Sequence, residues 1–336
     1  MNFIMRPLPP DHCAHRVCSR LPITKPLLRP WCGQYPMSTQ RTPRDWTLLL
    51  ALVVMWGSSF MFNTIAVATL PPLTVVAGRV GIAALVLLII VYALGKRLPS
   101  PGRTWLPFMV IAIIGNAIPF YLITWGQQVV ESALAGILMA MMPLATIALA
   151  HFLIAGEHLT RQRATGFAIG FLGIVLLMGP AALAGAGGDV LRIVSQLAVL
   201  GGALCYALQS VLTRLIIKGD VLVAAAATLL IAAIVVVPVA LWLDRPWMLV
   251  PTGSSVAAVV WLGVGPTAIA TILYFMLIRS AGPSFMALVN YLSPGVAVML
   301  GLLVMGETPQ AYAYFGLALI LAGIAFSQSR RPARVP

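Results

Sequence analysis

Long apolar runs follow one another almost without a charge from Trp46 to Ser327, and this constrains the chain more than any other feature. A helix needs about 20 mostly apolar residues to cross a bilayer. Ten such runs are predicted here: 46–66, 72–94, 105–125, 132–153, 164–180, 196–216, 221–243, 254–277, 283–304 and 310–327. The composition agrees, since 60% of the 336 residues are hydrophobic and only 9% are charged. Soluble domains carry about 25% charged residues, so a water-soluble enzyme or binding module is excluded. A membrane β-barrel is excluded as well, because its strands alternate apolar and polar residues. The expected fold class is an all-α integral membrane protein with ten transmembrane helices.

The net charge of +13 would suggest nucleic acid in a soluble chain. Here the charges lie in the connections, where they orient the protein instead. With an even number of spans both termini share a side. Placing the N-terminus in the cytoplasm puts 18 of the 21 Lys and Arg inside, with Arg192 and Arg245 outside and Arg79 within a span. Without the N-terminal tail the bias is still 11 to 2. Both termini are therefore expected to be cytoplasmic, with lipid as the surrounding partner and no nucleic acid.

Residues 1–45 contain no long apolar run and are rich in proline, so they read as a disordered basic tail. Met37 opens a short basic leader and is the expected alternative start. The segment His12-Cys13-Ala14-His15-Arg16-Val17-Cys18 holds four side chains able to bind metal, but its spacing matches no zinc pattern. No metal and no cofactor are expected. Residues 181–195 form a Gly/Ala-rich connection, and 328–336 a basic cytoplasmic tail.

A shift of 150 residues superposes the two halves. Gly156-Glu157 falls on Gly306-Glu307, Gly166 on Gly316, Gly173 on Gly323, Gly115 on Gly265, and Trp56 on Tyr206. Pro143 misses Pro294 by one residue. The units 46–180 and 196–327 each contain five spans, and an odd number makes the second copy enter the membrane from the opposite side. Such inverted repeats are typical of secondary transporters that alternate access around a central site.

These residues resemble a known family. Met55-Trp56-Gly57-Ser58-Ser59-Phe60 is similar to its opening motif, and Ala77-Gly78-Arg79-Val80 to its second-span arginine motif. Pro143, Gly156-Glu157-His158-Leu159-Thr160, Gly166 and Gly173 resemble its signature, which Pro294, Gly306-Glu307, Gly316 and Gly323 repeat. The family is the EamA-type group of the drug/metabolite transporter superfamily, and the resemblance covers nearly all of residues 46–327. It implies two five-helix inverted repeats in a bacterial cytoplasmic (inner) membrane and export of small metabolites, often amino acids, or of drugs. The sequence departs from the family in its long tail and in having Leu229 at the second-half equivalent of Arg79.

Arg79 is the one cation expected inside a span. It lies about 10 Å from the outer end of its helix at 1.5 Å per residue. Three readings stand: contact with substrate or gate, snorkelling to the outer interface, or a structural pair with Glu131. A guanidinium would suit a carboxylate-bearing solute. Trp56, Ser59, Asn63, Asn116, Tyr121, Trp125, Tyr206, Gln209, Thr267, Thr271, Tyr274 and Asn290 are polar or aromatic residues expected to face a central cavity, because polar groups avoid lipid. Taken singly, each is more often a satisfied helix contact or an interface aromatic. Together they describe an aromatic cavity with few charges, which suits small amphipathic or zwitterionic solutes better than phosphate-bearing ones. Pro143 and Pro294 are expected to interrupt the fourth and ninth helices and to serve as hinges. Glu157 and Glu307 are either proton-coupling carboxylates or, on the favoured reading, corner structure. In the latter case Thr308-Pro309 starts the tenth helix and the acid sits at its positive end.

No catalytic constellation is visible: there is no Gly-x-Ser-x-Gly, no His-Glu-x-x-His and no Walker loop. The sequence thus points to a secondary carrier exporting small solutes. The alternative is an uptake carrier or channel for a small neutral or zwitterionic solute. Coupling to protons or to exchange of a second solute are both open, and the oligomeric state is not legible.

Overall fold

In the computed structural model, the described residues are 42–100, 102–154, 160–178, 190–217 and 219–328. The tail with its Cys and His cluster, the Glu157-His158 corner and most of the 181–195 connection lie outside them. The described residues are all-helical. They form α1 (Pro43–Val67), α2 (Pro72–Ala93), α3 (Arg103–Gly126), α4 (Ser132–Leu153), α5 (Arg161–Met178), α6 (Val190–Ile216), α7 (Val221–Leu243), α8 (Gly253–Gly282), α9 (Leu288–Leu303) and α10 (Ala311–Gln328). Seven of them, α1–α4 and α6–α8, are long and apolar enough to cross a membrane; α9 and α10 are shorter apolar helices.

Local chemistry explains the ends. Thr42 and Asp45 form a capping box at α1, with Pro43 in the first turn where a missing N–H costs nothing. Asp220 caps α7 by accepting from the N–H groups of Leu222 and Val223. α6 begins at Val190, six residues before the predicted 196, so the end of the expected connection is helical. The α8 rod ends at Gly282, whose φ of +81° breaks the helical path.

Packing follows the repeat. α5 lies on α10, α2 on α7 and α4 on α9; α3 on α6 is matched by α8 on α1, and α4 on α6 by α9 on α1. Each of these pairs maps onto itself or onto its mate when each helix is exchanged for the one five places on. Equivalent helices run antiparallel. In α5 and α10, Gly166 meets the Gly323 carbonyl and Gly173 meets the Gly316 carbonyl, so that a Cβ on Gly166 or Gly173 would stand 2.5 or 2.7 Å from the facing oxygen. The two glycines that recur in each half are thus the mutual contact of the pair. In lipid, such small residues let backbones approach closely. α2 and α7 are tied at both ends. Thr74 N–H and Oγ1 both donate to Asp244 Oδ2 at 2.8 Å, and Lys96 pairs with Asp220 at the other end.

Cross-links also sort the connections. At one end, Thr69 bonds to Ser255, Thr74 to Asp244, and Ser132 and Ala133 to Glu307. At the other, Lys96 meets Asp220 and Gln162 donates to the Phe326 carbonyl. The first is here called end A and the second end B. Of the described cations outside Arg79, Arg192 and Arg245 lie toward end A. Arg44, Lys96, Arg97, Arg103, Arg161, Arg163, Arg214 and Arg279 lie toward end B.

The predicted helix interruptions are only half present. α4 breaks at Ala140–Met141, with Pro143 in the first turn of its second half. α9 instead runs helical through Pro294, and the chain bends earlier, at Gly282 and Ala287. A proline deletes one backbone bond, and the packed, buried faces of α9 around Ser293, Pro294 and Ala297 keep the helix straight enough to continue. Two interruptions were not predicted. Ile113–Ala117 in α3 and Gly263–Ile269 in α8 are π-helical and start 150 residues apart. Each has a proline in or just after it, Pro119 or Pro266. π-Segments within α-helices are frequent at functional sites.

Candidate functional site

The two π-segments flank the middle of the bundle, and the charged and aromatic candidates gather there. Arg79 of α2 does not snorkel. Its Nε donates to Thr267 Oγ1 on α8 at 2.9 Å, and Thr267 is only 5% exposed. Its guanidinium carbon lies 3.9 Å from the centroid of the Phe120 ring on α3, a cation–π contact. Phe120 in turn meets the Tyr206 ring of α6 edge-on at 6.2 Å. Nor does Arg79 pair with Glu131 among the described residues. Thr267 itself donates to the carbonyl of Leu262, the residue before the π-segment, at 2.7 Å, which fixes the hydroxyl so that its lone pair faces Arg79.

A second cluster abuts the first. Trp56 of α1 donates through Nε1 to the carbonyl of Pro266, the residue next to Thr267, at 3.2 Å. Its ring lies against Tyr274, with centroids 6.0 Å apart. Thr271 donates to the Thr267 carbonyl at 2.6 Å, completing a ladder down one face of α8. Trp56 and Tyr206, equivalent in the repeat, so reach the same centre from α1 and α6. Gln209, one turn beyond Tyr206, packs on the π-segment of α3; a Cβ on Gly115 would stand 2.3 Å from its Cδ. That repeated glycine is thus the seat for a polar side chain.

Other candidates sit elsewhere. Asn63 is 2% exposed and fully engaged: its Nδ2 donates to Gln127 Oε1 at 2.8 Å, and its Oδ1 accepts from Thr124. Gln127 donates onward to the Phe60 carbonyl and Thr64 Oγ1. Asn63 is a link between α1 and the end of α3, not an open cavity group. Tyr121 is 37% exposed on the face of α3 that also exposes Ile118, and so looks away from the bundle centre. Ser59 turns its hydroxyl back to the Trp56 carbonyl at 2.7 Å. Asn116, Trp125 and Asn290 are half-buried.

Glu307 has a role different from the expected one. α10 begins only at Ala311, so Thr308 and Pro309 precede it and do not start it. Gly306, at φ +66°, turns the chain out of α9. The Glu307 carboxylate then reaches the first repeat, where Oε1 accepts from Ser132 N–H and Oε2 from Ala133 N–H, both at 2.8 Å. It caps α4, whose own N-cap residue, Glu131, makes no side-chain cap. Gly301 leaves the room: a Cβ there would stand 2.3 Å from Glu307 Oε2.

Phe120, Thr124, Gln127 and Pro266 escaped the sequence reading. A phenylalanine in an apolar run carries no signal of what it faces. Gln127, an uncharged polar residue at a span end, was the detectable one.

Two antiparallel halves in a membrane-length bundle, meeting at a centre that holds a cation and aromatic rings, make up the build of a multi-pass membrane transporter. The chain belongs to the EamA-like transporter family, whose profile matches it twice, over residues 46–179 and 194–328. The uncharacterized inner membrane transporter YedA of Escherichia coli (strain K12) is 28% identical over 278 residues, covering 82% of this chain and 88% of YedA. A probable terminal-alkyne amino-acid exporter of Streptantibioticus cattleyicolor is 25% identical, covering 85% of this chain and 93% of the exporter. A solved crystal structure shares the fold with a TM-score of 0.60 at 22% identity, covering 85% of this chain and 97% of that one. The protein is thus a multi-pass membrane transporter.

Proposed function

We propose that this protein is a secondary carrier with ten membrane-spanning helices. It exports a small amino-acid-like or drug-like solute from the cytoplasm by alternating access. The shorter α5, α9 and α10 complete the ten, and the cation-rich end B faces the cytoplasm. The solute site lies between the repeats, around Trp56, Arg79, Tyr206, Gln209, Thr271 and Tyr274, with Asn116, Trp125 and Asn290 at its margins. The observation that carries the reading is Arg79. Of its five N–H donors, only Nε has a hydrogen-bond partner among the described residues. Phe120 and Thr267 hold the side chain so that its terminal N–H groups remain for a solute carboxylate, while the Trp56, Tyr206 and Tyr274 rings take the apolar body. Export follows the named exporter among the relatives.

Purified protein in liposomes, screened with labelled amino acids and amphipathic drugs, tests this. Saturable flux stimulated by unlabelled solute on the opposite side is expected. Flux that neither saturates nor responds to trans solute would make the protein a channel.

A further inference from the structure

α3 and α4 each pack on α6, as α8 and α9, their counterparts by the repeat, each pack on α1. At end A, two polar ties join these groups. One is the Glu307 carboxylate, leaving α9 and gripping the N-terminal N–H groups of α4. The other is Asn63 of α1, locked to Thr124 and Gln127 at the end of α3 and held there on both its amide atoms. The second tie cannot recur at end B. Residues 150 further on are Thr213, Tyr274 and Leu277 in place of Asn63, Thr124 and Gln127. Leu277 is fully buried in apolar packing with Leu49 and Leu52, and no side chain there can complete an amide pair.

We propose that Glu307 and Asn63 are the bolts of the end-A gate, and that this conformer is the one with end A shut. Neither residue touches solute; Glu307 acts by holding α4 against α9 of the second repeat, and Asn63 by holding α3 against α1. A carboxylate on two backbone N–H groups is a charge-assisted grip that sliding the helices apart would break. The buried Asn63–Gln127 pair would leave unsatisfied amides unless it opened fully to water. The gate therefore has two states rather than a graded set. The proposal rests on the alternating-access reading.

The test uses full-length protein in which Cys13, Cys18, Cys32 and Cys205 are replaced by serine and Ser59→Cys is the reporter, one turn from Trp56. A membrane-impermeant maleimide is applied to the end-A side and, separately, to the end-B side, using intact cells and inverted vesicles. Glu307→Ala and Asn63→Ala should each raise labelling from end A roughly tenfold and lower it from end B, since one population grows at the other's expense. Glu307→Gln, which keeps one acceptor oxygen, should shift the ratio in the same direction by less, and serves if the alanine variant does not accumulate. An unchanged ratio, or labelling that rises from both sides, overturns the bolts. Trans-stimulated flux of the parent is measured separately. If it is absent, the carrier reading fails; if it is present while the ratio stays fixed, only the bolts fail.

Discussion

Arg79 shows how much one position in a span can be asked to do. Placing a guanidinium in the middle of an apolar bundle is costly, and among the described residues a ring face and a hydroxyl, rather than a counter-charge, offset this. The carboxylate reading makes a sharp demand on it. Arg79→Lys keeps the charge but loses the planar fork and the stacking on Phe120. It should reach the membrane and transport at about a tenth of the parent rate or less, a loss on the scale of one charged hydrogen bond. Arg79→Gln should do no better. If both variants transport like the parent in the liposome assay, Arg79 is no part of the pathway. Phe120→Leu should weaken transport less than either, because it removes only the ring under the cation.

At the scale of elements, the α5–α10 pair rests on glycines rather than on large apolar side chains. Gly166→Ala would push a methyl group to 2.5 Å from the Gly323 carbonyl and 2.7 Å from Ser327 Cβ. It should lower stability by about 1–3 kcal/mol, the usual range for overpacking. Gly295→Ala has nothing within 4 Å of its new methyl group and gains helix propensity of up to about 1 kcal/mol. The same substitution should therefore move the melting temperature of the detergent-solubilised protein in opposite directions at the two sites. The α2–α7 pair is held differently. Its Lys96 partner holds the Asp220 carboxyl below the usual carboxylate range, aided by the N–H groups of Val223 and Leu222. A lowered pKa stabilises the fold above the unfolded value and loses that contribution as pH falls through the folded one. Asp220→Asn still caps α7 but cannot pair with Lys96. Its melting temperature should lie slightly below the parent's at pH 7, and the gap should close as the pH is lowered below about 4. Both groups are well exposed, so the effect is small.

For the whole molecule, the proposed ten-span arrangement makes a prediction along the full chain. Reporter fusions at residues 99, 188 and 250 should read cytoplasmic, external and external. A cytoplasmic reading at 188 would mean a span has been miscounted and would detach the second repeat from its inverted placement. The cross-links agree with the alternation for the described residues. The connections expected on one face, 68–71 with 244–252 and 127–131 with 304–310, are bonded to each other or to each other's helices.

The apolar helices and the duplication were legible in the sequence because they rest on local properties. Apolar runs of bilayer length are helical wherever they sit, since lipid leaves a backbone no other partner. The glycines that recur at 166, 173, 316 and 323 announced the repeat before their mutual contact was visible. Which side chains meet was decided only in the tertiary structure. Asn63 and Gln209 look alike as polar residues in spans. One closes on Gln127 and the other lies on Gly115, and the difference depends on helices more than 60 residues away. Glu307 was read as serving the helix that follows it, because sequence neighbours are the first partners a chain offers. It serves α4 instead, 175 residues back, since the left-handed turn at Gly306 carries the carboxylate across the repeat boundary. Pro294 carried the same symbol as Pro143, yet one helix continued and the other broke. A proline deletes a single bond, and the packing around it determines whether that loss becomes a bend.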